Sequence, residues 1–164
     1  MFERLNTPEE AFNYQLGAAL KMEHTVLDKI LADNMEEAQD AKLKELFRHH
    51  MDETRQQIDN LEQAFSAFGW EVDDSPCPAI EAIHKEGKTN VKKTDDSIVD
   101  SIIVSGAAET EHHEIAVYES LITNARAMGR DDVVSLLQQN LAQEQHTLEE
   151  VKRSAEQIAA ALPR

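Results

Sequence analysis

One cysteine, four prolines and five glycines are all that this 164-residue chain contains of the residues that staple, break or bend a backbone. With Cys77 alone there is no intrachain disulfide and no multi-cysteine zinc site, and a reducing compartment is expected. The prolines fall at Pro8, Pro76, Pro78 and Pro163. Long stretches therefore run without a breaker, which favours an all-α chain. Basic residues are also scarce, 16 against 32 acids, for a net charge of −16. That balance excludes a phosphate-binding face, so neither nucleic acid nor an anionic membrane is expected as a partner. No apolar run approaches the roughly 18–20 residues of a membrane span. The opening MFERLNTPEE lacks the apolar stretch of a signal peptide, so a cytoplasmic protein is expected.

What is present is helix. Hydrophobic residues make up 41% of the chain, enough for one domain, residues 1–164, with its own core. Thr7, Pro8, Glu9 and Glu10 spell a helix start. A stripe of Phe12, Leu16, Ala19, Leu20, Val26, Leu27, Ile30 and Leu31 then predicts a helix over 8–33, closed by Asp33 and Asn34. A second helix is predicted over 36–68 and stops at Gly69. After a loop from Trp70, a short helix is expected over 78–86, with Lys85–Thr94 as exposed connection. Third and fourth helices are predicted over 97–128 and 132–160, joined by a tight turn at Gly129. The connection between the second and third is about 25 residues, the length of a crossover along a bundle rather than of a hairpin.

Each long helix carries an acid near its middle. Glu23, Glu111 and Glu144 sit in the centre of their apolar stripes. Glu53 is about 90° off its stripe centre, a flank position at 100° per residue. The second helix also turns polar inside, at His50, Thr54 and Gln57. A buried carboxylate is costly unless something pairs with it. In antiparallel helices with short turns the four midpoints lie at one height. Four converging carboxylates either take up protons or hold cations. Carboxylates with an occasional imidazole suit iron and manganese, and two carboxylate-bridged metals fit a bundle core.

The established ligand pattern is Glu on two helices and Glu-x-x-His on two others. This chain departs from it, because Gln56 and Thr147 follow Glu53 and Glu144 at the histidine positions. His50, three residues before Glu53, and Glu114, three after Glu111, are the candidates to complete the set. Plainer readings stand beside these: a proton-linked cluster, a solvated flank for Glu53, a hydrogen-bonded core histidine at His50 and an exposed acid at Glu114. His112 is expected beside the site. His113 is expected to face away from the core, and His24 and His146 to lie at the surface. Tyr118 is expected to pack in the core, or alternatively to lie beside a metal and take part in electron transfer.

Three segments carry a resemblance: EHHEIAVY at 111–118, HMDETRQQ at 50–57 and CPAI at 77–80. Together they resemble the YciE/YciF family of bacterial ferritin-like proteins, over roughly residues 5–158. The resemblance implies a ferritin-like four-helix bundle with a long crossover between helices 2 and 3 that carries a short extra helix. It is related to rubrerythrins and manganese catalases. It also implies homodimers, a dinuclear metal centre and an association with bacterial stress responses. It carries Glu23, Glu53, Glu111 and Glu144 over as metal ligands, with His50, Gln57 and Glu114 close by. The first helix departs from the family, with Ala18, Leu20 and Lys21 where an acid and tyrosines are usual. Hydrogen bonding to the site from that helix is therefore not expected.

The expected function is a stress-associated protein with two divalent ions, iron first and manganese second, reacting with oxygen or peroxide. The alternatives are a metal-ion storage protein without turnover, or a metal-free acidic helical bundle with a structural role. Hemerythrin-like chemistry needs more inward histidines than His50 supplies.

Overall fold

The computed structural model describes residues 4–162, and among them there are helices and no strand. Helix α1 (Pro8–Thr25) opens with a capping box. The Glu10 amide donates to Thr7 Oγ1 at 3.1 Å, and the Thr7 amide donates to Glu10 Oε2 at 3.2 Å. These satisfy two of the amides that a helix start leaves unpaired. The helix does not close at Asp33. It runs on through a π-helical segment (Val26–Leu31) and α2 (Ala32–Glu37). The expected stop fails because Asp33 does not turn back on its own backbone. Its Oδ2 is 2.8 Å from His84 Nε2 and 3.4 Å from Lys88 Nζ.

The chain breaks instead at Ala38, and α3 (Ala41–Phe68) starts later than the predicted 36. Two acids fix that start. Asp40 Oδ1 accepts from the Leu43 amide at 2.9 Å, as a normal N-cap. Asp100, far along the chain, accepts from the Gln39 and Asp40 amides at 2.8 and 2.9 Å. Gly69, with φ 72°, then ends α3 in the left-handed region that glycine adopts without strain.

Helix α4 (Pro78–Lys93) is longer than the predicted 78–86. Its basic second half reads as loop by polarity. However, Ile80, Ile83 and Val91 are spaced to one face and pack on the core, which holds the segment helical. Helices α5 (Val99–Ala127) and α6 (Asp131–Ala161) agree with prediction to within two residues at each end.

The four long helices close a ring. α1 packs on α3 and α5, and α6 packs on the same two. α4 rests chiefly on α5. Phe12, Leu16, Phe47, Leu61, Phe65, Leu121 and Leu137 are essentially fully buried between them. Each such side chain contributes about 1.5–3 kcal/mol through burial. At one end, Trp70 stacks on Phe68 at 4.1 Å and the Arg130 guanidinium covers the Phe68 ring at 4.0 Å. Gly17 admits the loop before α4. A Cβ there would lie 2.6 Å from Ser75 Oγ and 2.8 Å from its amide nitrogen. No described helix is long and apolar enough to cross a membrane.

Candidate metal centre

The ring has a polar middle. Glu23, His50, Glu111, Glu114 and Glu144 are all buried, from α1, α3, α5 and α6. The helical period places each there. Glu111 and Glu144 sit where apolar residues precede and follow at steps of three and four, so folding the stripes inward carries the acids with them.

One ligand-capable atom from each of His50, Glu111, Glu114 and Glu144 lies within 4.8 Å of the other three. His50 Nε2 is 3.2 Å from Glu111 Oε1 and 3.6 Å from Glu144 Oε2. The back of the ring is anchored. Its Nδ1 is 3.3 Å from Thr147 Oγ1 and 3.5 Å from Glu53 Oε2. Held at one nitrogen by a hydroxyl and a carboxylate, the imidazole aims the other at three carboxylates. That is how metal-ligating histidines are oriented.

Glu23 joins the cluster from the side. Tyr118 donates its hydroxyl hydrogen to Glu23 Oε1. Asn140 Nδ2 donates to that hydroxyl at 3.0 Å and to the Gln57 carbonyl at 3.1 Å. Asn60 Nδ2 in turn donates to Asn140 Oδ1 at 2.8 Å. The support for Glu23 that α1 does not provide comes from α5 and α6. Asn140 lies in the apolar stripe of α6 four residues before Glu144, and sequence reasoning misses its bridging role. A polar residue at a core position, one turn from an acid, was the available signal.

Other candidates take different places. Glu53 stands behind His50, on the far side from the four-residue group, with its side chain 16% exposed. Gln57 is buried among these residues with neither amide atom partnered. His112 is exposed rather than beside the cluster. His113 is half-buried, with Nε2 unpartnered, in a groove between α1 and α5 that Cys77 also lines. Neither adjacent histidine lies beside the cluster: His112 faces solvent, and His113 is partly covered where α1 packs on α5. His24 is half-buried and His146 exposed.

The electrostatics call for positive charge. Burial pushes the Glu23 carboxyl up to about 7 despite the Tyr118 bond and His50. Burial, then the charges of Glu144, Glu23 and Glu111, hold Glu114 well above the carboxylate range. Burial raises Glu144 likewise, with Glu111 and Glu23 adding to it and His50 opposing. At His50 burial works downward, but Glu111 and Glu144 overcome it and hold the imidazole well above its ordinary value. Burial and the Glu23 charge raise Tyr118. At Glu53 burial is outweighed by His50, which lowers its pKa.

Glu23 Oε2, Glu111 Oε2 and both oxygens of Glu114 and Glu144 are buried without a hydrogen-bond donor. Buried carboxylate oxygens are normally paired. Six orphaned oxygens, with one imidazole nitrogen among the carboxylates of Glu111, Glu114 and Glu144, fit a hard or borderline divalent cation. The residues present therefore suit a metal.

The chain matches the family model described as a domain of unknown function (DUF892) over residues 7–162. It is similar to protein YciF of Escherichia coli, with 28% identity over 145 residues that cover 87% of each chain. Among solved structures, YcfI of Rhodopseudomonas palustris, described provisionally as a structural protein, superposes with a TM-score of 0.89 at 31% identity. That match covers 93% of this chain and 98% of the other. The E. coli stress protein YciF also gives 0.89, at 24% identity, covering 96% and 100% of the two chains. A protein of Xanthomonas campestris gives 0.75 at 22% identity, covering 94% and 95%. A family match across almost the whole chain agrees with the three motifs on α3, α4 and α5, and the chain belongs to the DUF892 family, that of the YciF proteins.

Proposed function

We propose that this protein is a ferritin-like four-helix bundle whose core holds a dinuclear metal centre, iron first and manganese second. The observation that carries the reading is the group His50, Glu111, Glu114 and Glu144 around six undonated carboxylate oxygens. These four residues would hold one ion. Glu23, whose Oε2 has no donor, would help hold the other, and Glu53 would reach the set by rotating from behind His50. Redox-active ions held there would supply the electrons for chemistry with a small oxidant such as oxygen or peroxide. The chain's own residues set the conditions. His50, Glu111, Glu114 and Glu144 are themselves buried, which keeps them from bulk water. Tyr118 and Asn140 fix the angle of Glu23. Thr147 and Glu53 fix that of His50. We place the protein in the bacterial cytoplasm, as a homodimer in a stress response.

Metal analysis of protein purified without chelators, with anomalous scattering at the iron and manganese edges, tests this. Two peaks among these carboxylates are expected. A metal-free core with no uptake of either ion would sink it.

A second reading has one observation in its favour. Glu23, raised to about 7 and bonded to Tyr118, can rest as a proton-sharing pair with Glu114 and need no metal. It gives an acidic helical bundle with a structural role, whose melting temperature does not respond to Fe²⁺ or Mn²⁺.

A further inference from the structure

Five of the six ionisable groups at the centre are sealed from solvent, and the sixth is not. The side chains of His50, Glu111 and Glu144 are 1%, 4% and 0% exposed, whereas that of Glu53 is 16% exposed. Glu53 also has its two oxygens turned to different partners. Oε2 lies 3.5 Å from His50 Nδ1, toward the core. Oε1 lies 3.5 Å from Nε2 of His49, whose side chain is 63% exposed. His49 lines an open groove between α3 and α6 together with Glu45, Glu150, Lys42 and Arg153. The charges around this groove are mixed, so the groove does not concentrate cations by potential alone. The ligand atoms must do the selecting. From solvent inward, His49 Nε2 lies 3.5 Å from Glu53 Oε1, Glu53 Oε2 lies 3.5 Å from His50 Nδ1, and across the imidazole ring His50 Nε2 lies 3.2 Å from Glu111 Oε1, a series of metal-capable groups from surface to core.

We propose that His49 and Glu53 are the portal of the buried cluster: His49 takes a divalent cation from solvent, and Glu53 carries it inward by rotating its carboxylate. The inference rests on the proposed metal centre. Glu53 suits the task because Thr147 Oγ1, at 3.3 Å, and two histidines hold it loosely, at distances a carboxylate can exchange. His49 is a neighbour of the centre and not part of it. It therefore alters the barrier between solvent and core without altering the bound state.

Loading of metal-free protein with Co²⁺, followed by absorbance, and extraction of the loaded ion by EDTA give the test. In His49→Gln both rates fall together, roughly tenfold if the transit step loses about 1.4 kcal/mol. The final cobalt content and the Kd stay at wild-type values. His49→Asp, which keeps an oxygen ligand at the surface, retains most of the rate, and His112→Gln, at an exposed position of α5, leaves it unchanged. Wild-type rates in His49→Gln overturn the portal while leaving the centre standing. A weakened Kd overturns it by making His49 a ligand. A wild-type protein that takes up no cobalt removes the centre itself.

Discussion

Tyr118 on α5 donates its hydroxyl hydrogen to Glu23 on α1, and Asn140 on α6 holds that same hydroxyl at 3.0 Å. Three helices thus meet at one oxygen. The hydrogen bond is the only one that reaches Glu23 among the described side-chain contacts, since Oε2 has none. Replacing the tyrosine by phenylalanine removes the one donor to Glu23 in a buried site and one of the partners of Asn140, which keeps its bonds to Gln57 and Asn60. Tyr118→Phe is expected to cost about 1–3 kcal/mol of stability in metal-free protein. Bound metal should recover part of the loss, because an ion replaces the missing donor. Urea melts with and without Mn²⁺ check both parts.

The same burial that raises Glu23 makes the metal-free protein sensitive to base. A carboxyl with a raised pKa in the fold contributes stability that is complete below its ordinary value of 4.5 and is lost as pH rises through the folded value, about 7 for Glu23. Glu114 and Glu144 are raised too, and act in the same direction. His50, also raised, loses its contribution as pH rises. Groups shifted down, Glu53 and Asp132 among them, lose theirs only on acidification. The melting temperature of metal-free protein is therefore expected to fall between pH 5 and pH 8, the interval that spans the Glu23 value. Saturating Mn²⁺ should flatten or reverse that slope, since binding requires the carboxylates deprotonated. A calorimetric pH series with and without the ion reads the difference.

Gly87 on α4 and Gly106 on α5 stand inside helices and line one cavity of about 110 Å³ between α2, α4 and α5. A Cβ at either position meets nothing within 4 Å. Alanine there is expected to stabilise by about 0.4–1 kcal/mol per site, by narrowing the unfolded chain. Gly17→Ala should do the opposite and displace the loop at Ser75, since its Cβ has no room. Thermal melts of the three single variants separate the two cases.

Asp100→Asn probes a different joint. The Asp100 carboxylate accepts from two backbone amides, of Gln39 and Asp40, at the start of α3. The neutral amide keeps at most one acceptor in place. A loss of about 0.5–2 kcal/mol is expected, the usual effect of a lost cap. Faster hydrogen exchange at Gln39 and Asp40 should accompany it.

Periodicity carried most of the fold. The stripe through Leu137 and Val151 places α6 to within a residue at each end, and that through Phe47, Leu61 and Phe65 places the body and end of α3 but not its start. Where polarity and periodicity disagreed, polarity misled. Lys85–Thr94 looked like loop, yet Ile83 and Val91 keep it helical through contacts with other helices, which no local pattern contains. Asp33 looked like a stop signal, yet α4 claims its side chain. At the site, Glu23, Glu111 and Glu144 were legible as acids inside apolar stripes. His50, though inside its stripe, and Glu114, on a flank, are legible only as candidates, because one helix shows neither what an inward imidazole meets nor whether a flank is covered by its neighbour. The settings of Glu53, His112 and His113 depend on the packing of α6 and α1 against those flanks. The same holds for the Asn140 bridge, which links groups 22 and 83 residues apart.

The central claim is that the orphaned oxygens of Glu111, Glu114 and Glu144 exist to hold metal. Isothermal titration of chelator-treated protein with Mn²⁺ at neutral pH addresses it most directly, with Glu111→Ala/Glu144→Ala as the comparison. Saturable binding of two ions per chain, with proton release and lost in the double variant, is the expected result. No binding heat in the wild type, or equal binding in the variant, would contradict the account.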